Sequence, residues 1–186
     1  MDQLADEVEK AVVSLENGEV IIHATEAIFG FAAKACSYDA CMRVWKIKNR
    51  PFNKKFIVIF PSVREVGNYA IIEQKNQKKI LETWPGHITW VLRAKDTCPD
   101  WLKDSDNRIA VRVPSHLQML QLCKKSGPLI STSANVANHL PAKNYEEAIK
   151  EFAGNSLVSF ILRGKTGGKT RPSLIYDGLT CKILRS

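Results

Sequence analysis

The sequence has no long apolar run, no paired cysteines and no nucleophile elbow, and each absence closes off a class of protein. Its longest uninterrupted apolar stretch runs only from Phe56 to Phe60, whereas a membrane-spanning helix needs about 20 residues; no membrane association is expected. The opening MDQLADEVEK is acidic and carries no apolar signal segment, so the expected location is the cytoplasm. Cysteines stand at positions 36, 41, 98, 123 and 181, an odd set without Cys-x-x-Cys spacing. That argues against a disulfide framework or a structural zinc site, and leaves the thiols as small apolar residues in a reducing compartment. His23, His87, His116 and His139 show no metal-ligand spacing and read as structural. There is no Gly-x-Ser-x-Gly motif. Acidic residues are missing altogether between Cys41 and Arg64, although Arg43, Lys46, Lys48, Arg50, Lys54, Lys55 and Arg64 fall there. The counter-charge for that run must come from elsewhere in the fold or from a ligand.

What is present is ordinary for a soluble chain: 186 residues, 45% hydrophobic and 25% charged, with a net charge of +8. The length fits one domain over residues 1–186 with a core that needs no staples. The basic balance favours polyanions such as nucleotides or nucleic acid.

Apolar spacing predicts a helix over 2–16 with Leu4, Val8, Ala11, Val12 and Leu15 on one face, Asp2 as N-cap and Asn17-Gly18 as its stop. A buried strand is expected at 19–23, a helix at 38–48 capped by Ser37, and a wholly apolar strand at 56–60. A helix near 73–83, a strand near 87–93 and a strand at 109–113 follow. Beyond them come a helix near 115–125 capped by Ser115, a strand at 129–131 and a helix near 144–152. Strands near 157–161, 173–176 and 181–184 complete the chain. Alternation of this kind predicts an α/β or α+β fold around one twisted mixed sheet with flanking helices.

Three motifs bear on chemistry. In Lys48-Asn49-Arg50-Pro51, Pro51 disfavours helix at Arg50 and pushes the chain extended, so Lys48 and Arg50 are expected to converge on one anion. A compact ammonium beside a planar guanidinium suits a polyphosphate; read alone, the four residues fit a solvated basic loop better. Ser131-Thr132-Ser133-Ala134-Asn135 places small hydroxyl and amide groups past a strand's carboxyl end, where an open sheet binds ligands. The same residues equally suit a loop that caps the next segment. GKTGGKT at 164–170 is not a Walker loop, because Arg163 stands where the first glycine belongs and Arg171-Pro172 replaces the helix that should follow. A glycine turn or lid is the better reading.

The segments TEAIFG (25–30), KNRP (48–51), WPG (84–86), AVRVP (110–114), STSAN (131–135) and PSLIYD (172–177) together resemble the YrdC/TsaC family of threonylcarbamoyl-AMP synthases. They run in family order from about residue 19 to the end, and the length resembles the short bacterial form without an extra carboxyl-terminal domain. The resemblance implies a basic concave cavity and an ATP-dependent nucleotidyltransferase, which converts L-threonine, bicarbonate or CO2 and ATP into threonylcarbamoyl-AMP and diphosphate. A partner complex then transfers the threonylcarbamoyl group to tRNA beside the anticodon. By position, Lys48, Arg50, Ser133 and Asn135 match the family's phosphate-side constellation. Thr25 and Arg112 match its threonine site, with Ser131 and Ser173 lining the pocket and Arg185 reaching the nucleotide. Mg²⁺ is implied as carried by the nucleotide, with no protein metal ligands. Departures are Ala24 and His87 where proline is common, Lys54-Lys55 in a usually small turn, Asn138 where glycine is frequent, and Arg108 in place of threonine. Two other readings stay open: a non-catalytic module binding double-stranded RNA or tRNA through its charge, with weak RNA contact also compatible with the enzyme, and a carbamoyl- or adenylyl-transferring domain with another acceptor.

Overall fold

The computed structural model describes residues 3–185; Asp2, the expected N-cap, and the side chain of Leu4 lie outside the described residues. Helix α1 (Gln3–Glu16) buries Val8, Ala11 and Leu15 and ends where Gly18 turns left-handed at φ +71°. Strands β1 (Val20–Ala24) and β2 (Phe29–Lys34) form an antiparallel pair. Helix α2 (Tyr38–Lys48) begins as expected, with the Ser37 hydroxyl accepting from Ala40 N at 3.2 Å. β3 (Ile57–Ile59), α3 (Val63–Tyr69), β4 (Ala70–Ile71), α4 (Gln74–Leu81), β5 (Ile88–Ala94) and β6 (Arg108–Arg112) follow. The chain closes with α5 (Leu117–Ser126), β7 (Leu129–Ser133), α6 (Tyr145–Phe152), β8 (Val158–Ile161), β9 (Leu174–Asp177) and β10 (Ile183–Arg185).

The strands make one mixed sheet in the order β10-β9-β5-β6-β3-β7-β2-β1-β8, with β4 added beside β5. Alternate residues face opposite sides. Val20, Ile22, Phe29, Phe31, Val58, Trp90, Val111 and Ile130 pack on one side with Trp45 of α2, Val66 of α3, Ile80 of α4 and Phe152 of α6. The other side is covered unevenly: Ile21, Ala32, Ile59 and Leu129 meet α1 and α5 through Val8, Ala11, Leu15, Met119, Leu122 and Cys123. Past those helices the same side of β7, β3, β6 and β9 is left open, and a hollow forms there.

Several elements depart from the pattern read off the sequence, the two-residue β4 among them. β2 is built from FGFAAK, where glycine and alanine weaken the strand signal; pairing on both sides with β1 and β7 imposes it. α3 has one fully buried apolar residue, Val66, and so little periodicity to read. The helix expected to be capped by Ser115 starts at Leu117 after His116, with no side-chain cap; the Ser115 N–H instead donates to Glu26 Oε1 at 3.2 Å.

Candidate functional site

The hollow has a volume of about 270 Å³. Its floor follows from strand register. Gly30 pairs with Ser133, Ser131 with Ile57, and Ile57 with Ala110, so these residues project to one side, and Arg112 joins them two residues after Ala110. Small residues keep the floor low. At Gly30 a Cβ would stand 3.1 Å from Thr132 O and 3.2 Å from Thr25 Cγ2, so nothing larger fits without displacing the rim.

Lys48 and Arg50 reach this region differently from the expectation of one extended segment. Lys48 is the last residue of α2, and the chain reverses at Asn49, which is left-handed with φ 45°. The helix terminus thus separates the two side chains, and both still meet the 131–135 segment. Lys48 Nζ donates to Ser133 O at 2.6 Å and to Asn135 O and Oδ1, both at 2.9 Å; Ser133 Oγ is 3.3 Å away. An ammonium has three protons, and here four oxygens surround it. Lys48 is buried behind the loop, and neither it nor Asn135 is part of the cavity wall. Burial, and then the nearby Arg50 charge, pull its pKa down to about 7. The Ser133 hydroxyl donates to Asn135 Oδ1 at 2.6 Å, and Asn135 Nδ2 donates to Val136 O and His139 O, which closes the loop.

Arg50 does line the cavity. Its guanidinium lies 4.6 Å from the Phe56 ring centroid and makes long contacts to Thr132 Oγ1 (3.5 Å) and Lys55 O (3.4 Å). Its Nε–H is buried without an acceptor. Burial lowers its pKa to about 10. Among the described residues, neither Lys48 nor Arg50 has a carboxylate at ion-pair distance. The basic run therefore arrives at the hollow with uncompensated charge.

Arg112 is buried at the far side and already has a partner: Nη2 lies 3.3 Å from Glu26 Oε2. Its Nη1 contacts His87 Nδ1 at 3.3 Å, Nη2 contacts Met119 Sδ, and Nε–H has no acceptor. Burial alone would raise the Glu26 carboxyl, but His87 and Arg112 outweigh it and hold the pKa at about 2. Thr25 spends its hydroxyl locally, donating to Ile28 O at 2.7 Å and accepting from the amides of Ala27 and Ile28, which builds the turn between β1 and β2. Its methyl side faces Gly30 at the cavity rim.

Ser131 and Ser173 are buried and line the hollow. Ser173 Oγ pairs with Thr89 Oγ1 at 3.0 Å, and Arg185 crosses to Ser173 O at 2.9 Å, bringing the end of the chain to the cavity wall. The glycine-rich segment is strapped down: Gly167 N donates to Thr25 O and Lys169 N to Glu26 O, while His116 and His87 contact the carbonyls of Lys165 and Arg171.

The structure thus gathers Arg50, Ser131, Ser133, Thr25, Arg112, Ser173 and Arg185 around one hollow and puts Lys48 and Asn135 behind it. Sequence reading gave Glu26 no role and took His87 for structural, because their partners are far along the chain, and it left Thr132 without a role of its own inside the 131–135 motif. The departures find local reasons. Ala24 N donates to Gln118 Oε1, which proline could not do. Asn138 has φ 68°, a left-handed position that glycine or asparagine tolerates. Lys55 donates to Trp101 O. Arg108 is bound by Asp104, Asp106 and Asp177, away from this hollow. A larger depression of about 830 Å³ lies beside α6 and Arg163 and contains none of these groups.

Comparison with known proteins places the chain in a family and its fold among solved structures. The Sua5_yciO_yrdC family profile, described as telomere recombination, matches residues 13–186. The threonylcarbamoyl-AMP synthase of Wigglesworthia glossinidia brevipalpis is 36% identical over 180 residues, covering 95% of this chain and 91% of that protein. Among solved structures, a double variant of P. abyssi Sua5 superposes with a TM-score of 0.85 at 25% identity over 96% of this chain, which spans 55% of Sua5. E. coli YciO superposes with a TM-score of 0.86 at 21% identity, over all of this chain and 91% of its own length.

Proposed function

The chain belongs to the Sua5/YciO/YrdC family, and from that premise we propose that it is a threonylcarbamoyl-AMP synthase acting on L-threonine, bicarbonate or CO2, and ATP. The observation that carries this reading is the pair of buried, acceptor-less guanidinium N–H groups, Arg50 Nε and Arg112 Nε, on residues lining one hollow with the 131–133 hydroxyls between them. Buried donors without acceptors are rare and costly. A ligand with two separate anionic groups, such as an amino acid and a nucleotide phosphate chain, satisfies both.

In this reading Arg112 takes the threonine carboxylate while Thr25 and Ser131 shape the surrounding wall. The threonine amine bonds to the carbon of CO2 and loses a proton, giving a carbamate. A carbamate oxygen then bonds to the α-phosphorus of ATP as the bond from that phosphorus to the bridging oxygen breaks, and diphosphate leaves. Arg50, Ser133 and Arg185 line the phosphate side and stabilise the developing charge. Lys48 and Asn135 hold the serine loop in place. No covalent protein intermediate is needed; alignment can supply ~7–11 kcal/mol of the barrier. Among the described residues no carboxylate lines the hollow and no His/Cys/Asp/Glu cluster fits a metal, so a magnesium ion would be held by the nucleotide's own phosphates.

The continuous sheet supports one functional unit over residues 1–186. The product is a labile activated intermediate, which fits a cytoplasmic role supplying a threonylcarbamoyl-transferring complex that modifies tRNA. No helix among the described residues is long and apolar enough to cross a membrane. The test is mass spectrometry of the products after incubation with ATP, threonine and bicarbonate. A threonine-dependent adenylate with matching diphosphate release is expected; diphosphate release indifferent to threonine, or none, overturns the reading.

A further inference from the structure

We propose that His87 is a positioning residue for Arg112, holding the guanidinium in the orientation that leaves its Nε–H free for a carboxylate ligand; this rests on the threonine-binding reading of Arg112 above. The imidazole touches two fixed points. Its Nε2 lies 2.9 Å from Arg171 O. A carbonyl oxygen can only accept, so Nε2 carries the proton, and in the neutral ring Nδ1 presents a lone pair. That lone pair is 3.3 Å from Arg112 Nη1, whose protons can only be donated, whereas Glu26 Oε2 stands 3.7 Å from His87 Nδ1, beyond hydrogen-bond reach.

The consequence for Arg112 is geometric. Glu26 and Met119 hold the guanidinium at Nη2 alone, and contacts at one nitrogen leave the planar group free to swing about it. The His87 contact at Nη1 adds a second fixed point and sets the plane, and with it the direction in which the acceptor-less Nε–H points. The anchor of that second point is the glycine-rich strap. Arg171 ends the segment whose Gly167 and Lys169 amides are bonded to the carbonyls of Thr25 and Glu26. The strap, Glu26 and Arg112 are therefore tied into one unit through an imidazole with 17% of its side-chain surface exposed.

Two substitutions separate the contacts. His87→Asn keeps an acceptor near the Nδ1 position and loses the link to Arg171, whereas His87→Gln keeps a donor near Nε2 and loses the acceptor facing Arg112. Expected for His87→Gln is a threonine KM raised roughly tenfold, the size of one lost hydrogen bond to a charged group, with kcat and the ATP KM within about twofold. Expected for His87→Asn is a rise in threonine KM clearly smaller than in His87→Gln, together with faster amide exchange at 167–171. An unchanged threonine KM in His87→Gln, or equal impairment by both variants, overturns the proposal. A readout independent of turnover is the imidazole nitrogen spectrum of the unmodified protein: in the neutral ring a proton on Nε2 and none on Nδ1 is expected, and the opposite tautomer overturns the assignment. If the unmodified protein shows no threonine-dependent turnover, the functional reading fails, while the nitrogen spectrum still tests the contact itself.

Discussion

Glu26 and Arg112, separated by 86 positions in the chain, meet with Oε2 and Nη2 3.3 Å apart in a region where both side chains are almost wholly buried. A buried pair of this kind contributes little beyond an apolar alternative, yet removing one member leaves a bare charge. Glu26→Ala is therefore expected to destabilise the fold by ~3–5 kcal/mol in urea unfolding, and Glu26→Gln by less, because its amide oxygen can still accept from Ser115 N.

The same pair sets an acid limit. Glu26 has its pKa lowered from 4.5 to about 2, so its contribution is complete above the unfolded value and is lost as pH falls between about 4.5 and 2. Unfolding free energy measured across that window should fall with acid in the parent and fall less steeply in Glu26→Gln. Parallel curves would show that the pair is not what titrates.

Arg112→Met leaves Glu26 without its counter-ion, so its effect on activity is confounded by lost stability. The double variant Glu26→Gln with Arg112→Met removes both charges and should recover part of the stability lost in Arg112→Met. The threonine requirement should stay raised in both. Recovery of stability without recovery of threonine use separates packing from ligand binding; equal recovery of both would argue against a carboxylate contact.

Lys48 and Arg50 should fail in different ways. Lys48→Ala strips the ammonium from Ser133 O and from both Asn135 oxygens, costing about 1–3 kcal/mol for hydrogen bonds to a charged group, although Ser133 O keeps the Asn135 N–H and Asn135 Oδ1 keeps the Ser133 hydroxyl; turnover falls because the loop moves. Arg50→Ala loses a cation–π contact and two long hydrogen bonds, so stability should change by about 1 kcal/mol or less while turnover falls ~100-fold or more. Thermal unfolding beside diphosphate release distinguishes them. Near-normal turnover in Arg50→Ala would remove it from the phosphate side.

Gly30→Ala tests the cavity floor. Its Cβ would press on Thr132 O at 3.1 Å and Thr25 Cγ2 at 3.2 Å. Neither can yield without moving the rim, so substrate binding should weaken more than stability. Calorimetric titration against thermal unfolding reads the two effects.

The helices and most strands could be read because their signals are local. Spacing located α1, Ser37 marked the start of α2, and FIVIF announced β3. β2 could not be read, since glycine and alanine become a central strand only through their neighbours. At the site, the residues picked out in KNRP and STSAN meet in one place: Arg50, Ser131 and Ser133 line the hollow, and Lys48 and Asn135 stand behind it. Geometry beyond the next few residues was not legible. That Lys48 would be enclosed by four oxygens depends on a contact 85 positions away, and the partnership of Glu26, Arg112 and His87 depends on three distant segments. The family resemblance marked Arg112 as a ligand group without revealing that Glu26 already stands beside it.

Arg50 rests on the face of Phe56 instead of against a carboxylate. An aromatic face steadies a cation without cancelling it, so the hollow keeps a standing preference for small oxyanions over water. Inorganic phosphate or sulfate in a buffer should accordingly behave as a competitor, raising the apparent ATP requirement in proportion to its concentration and sparing the maximal rate.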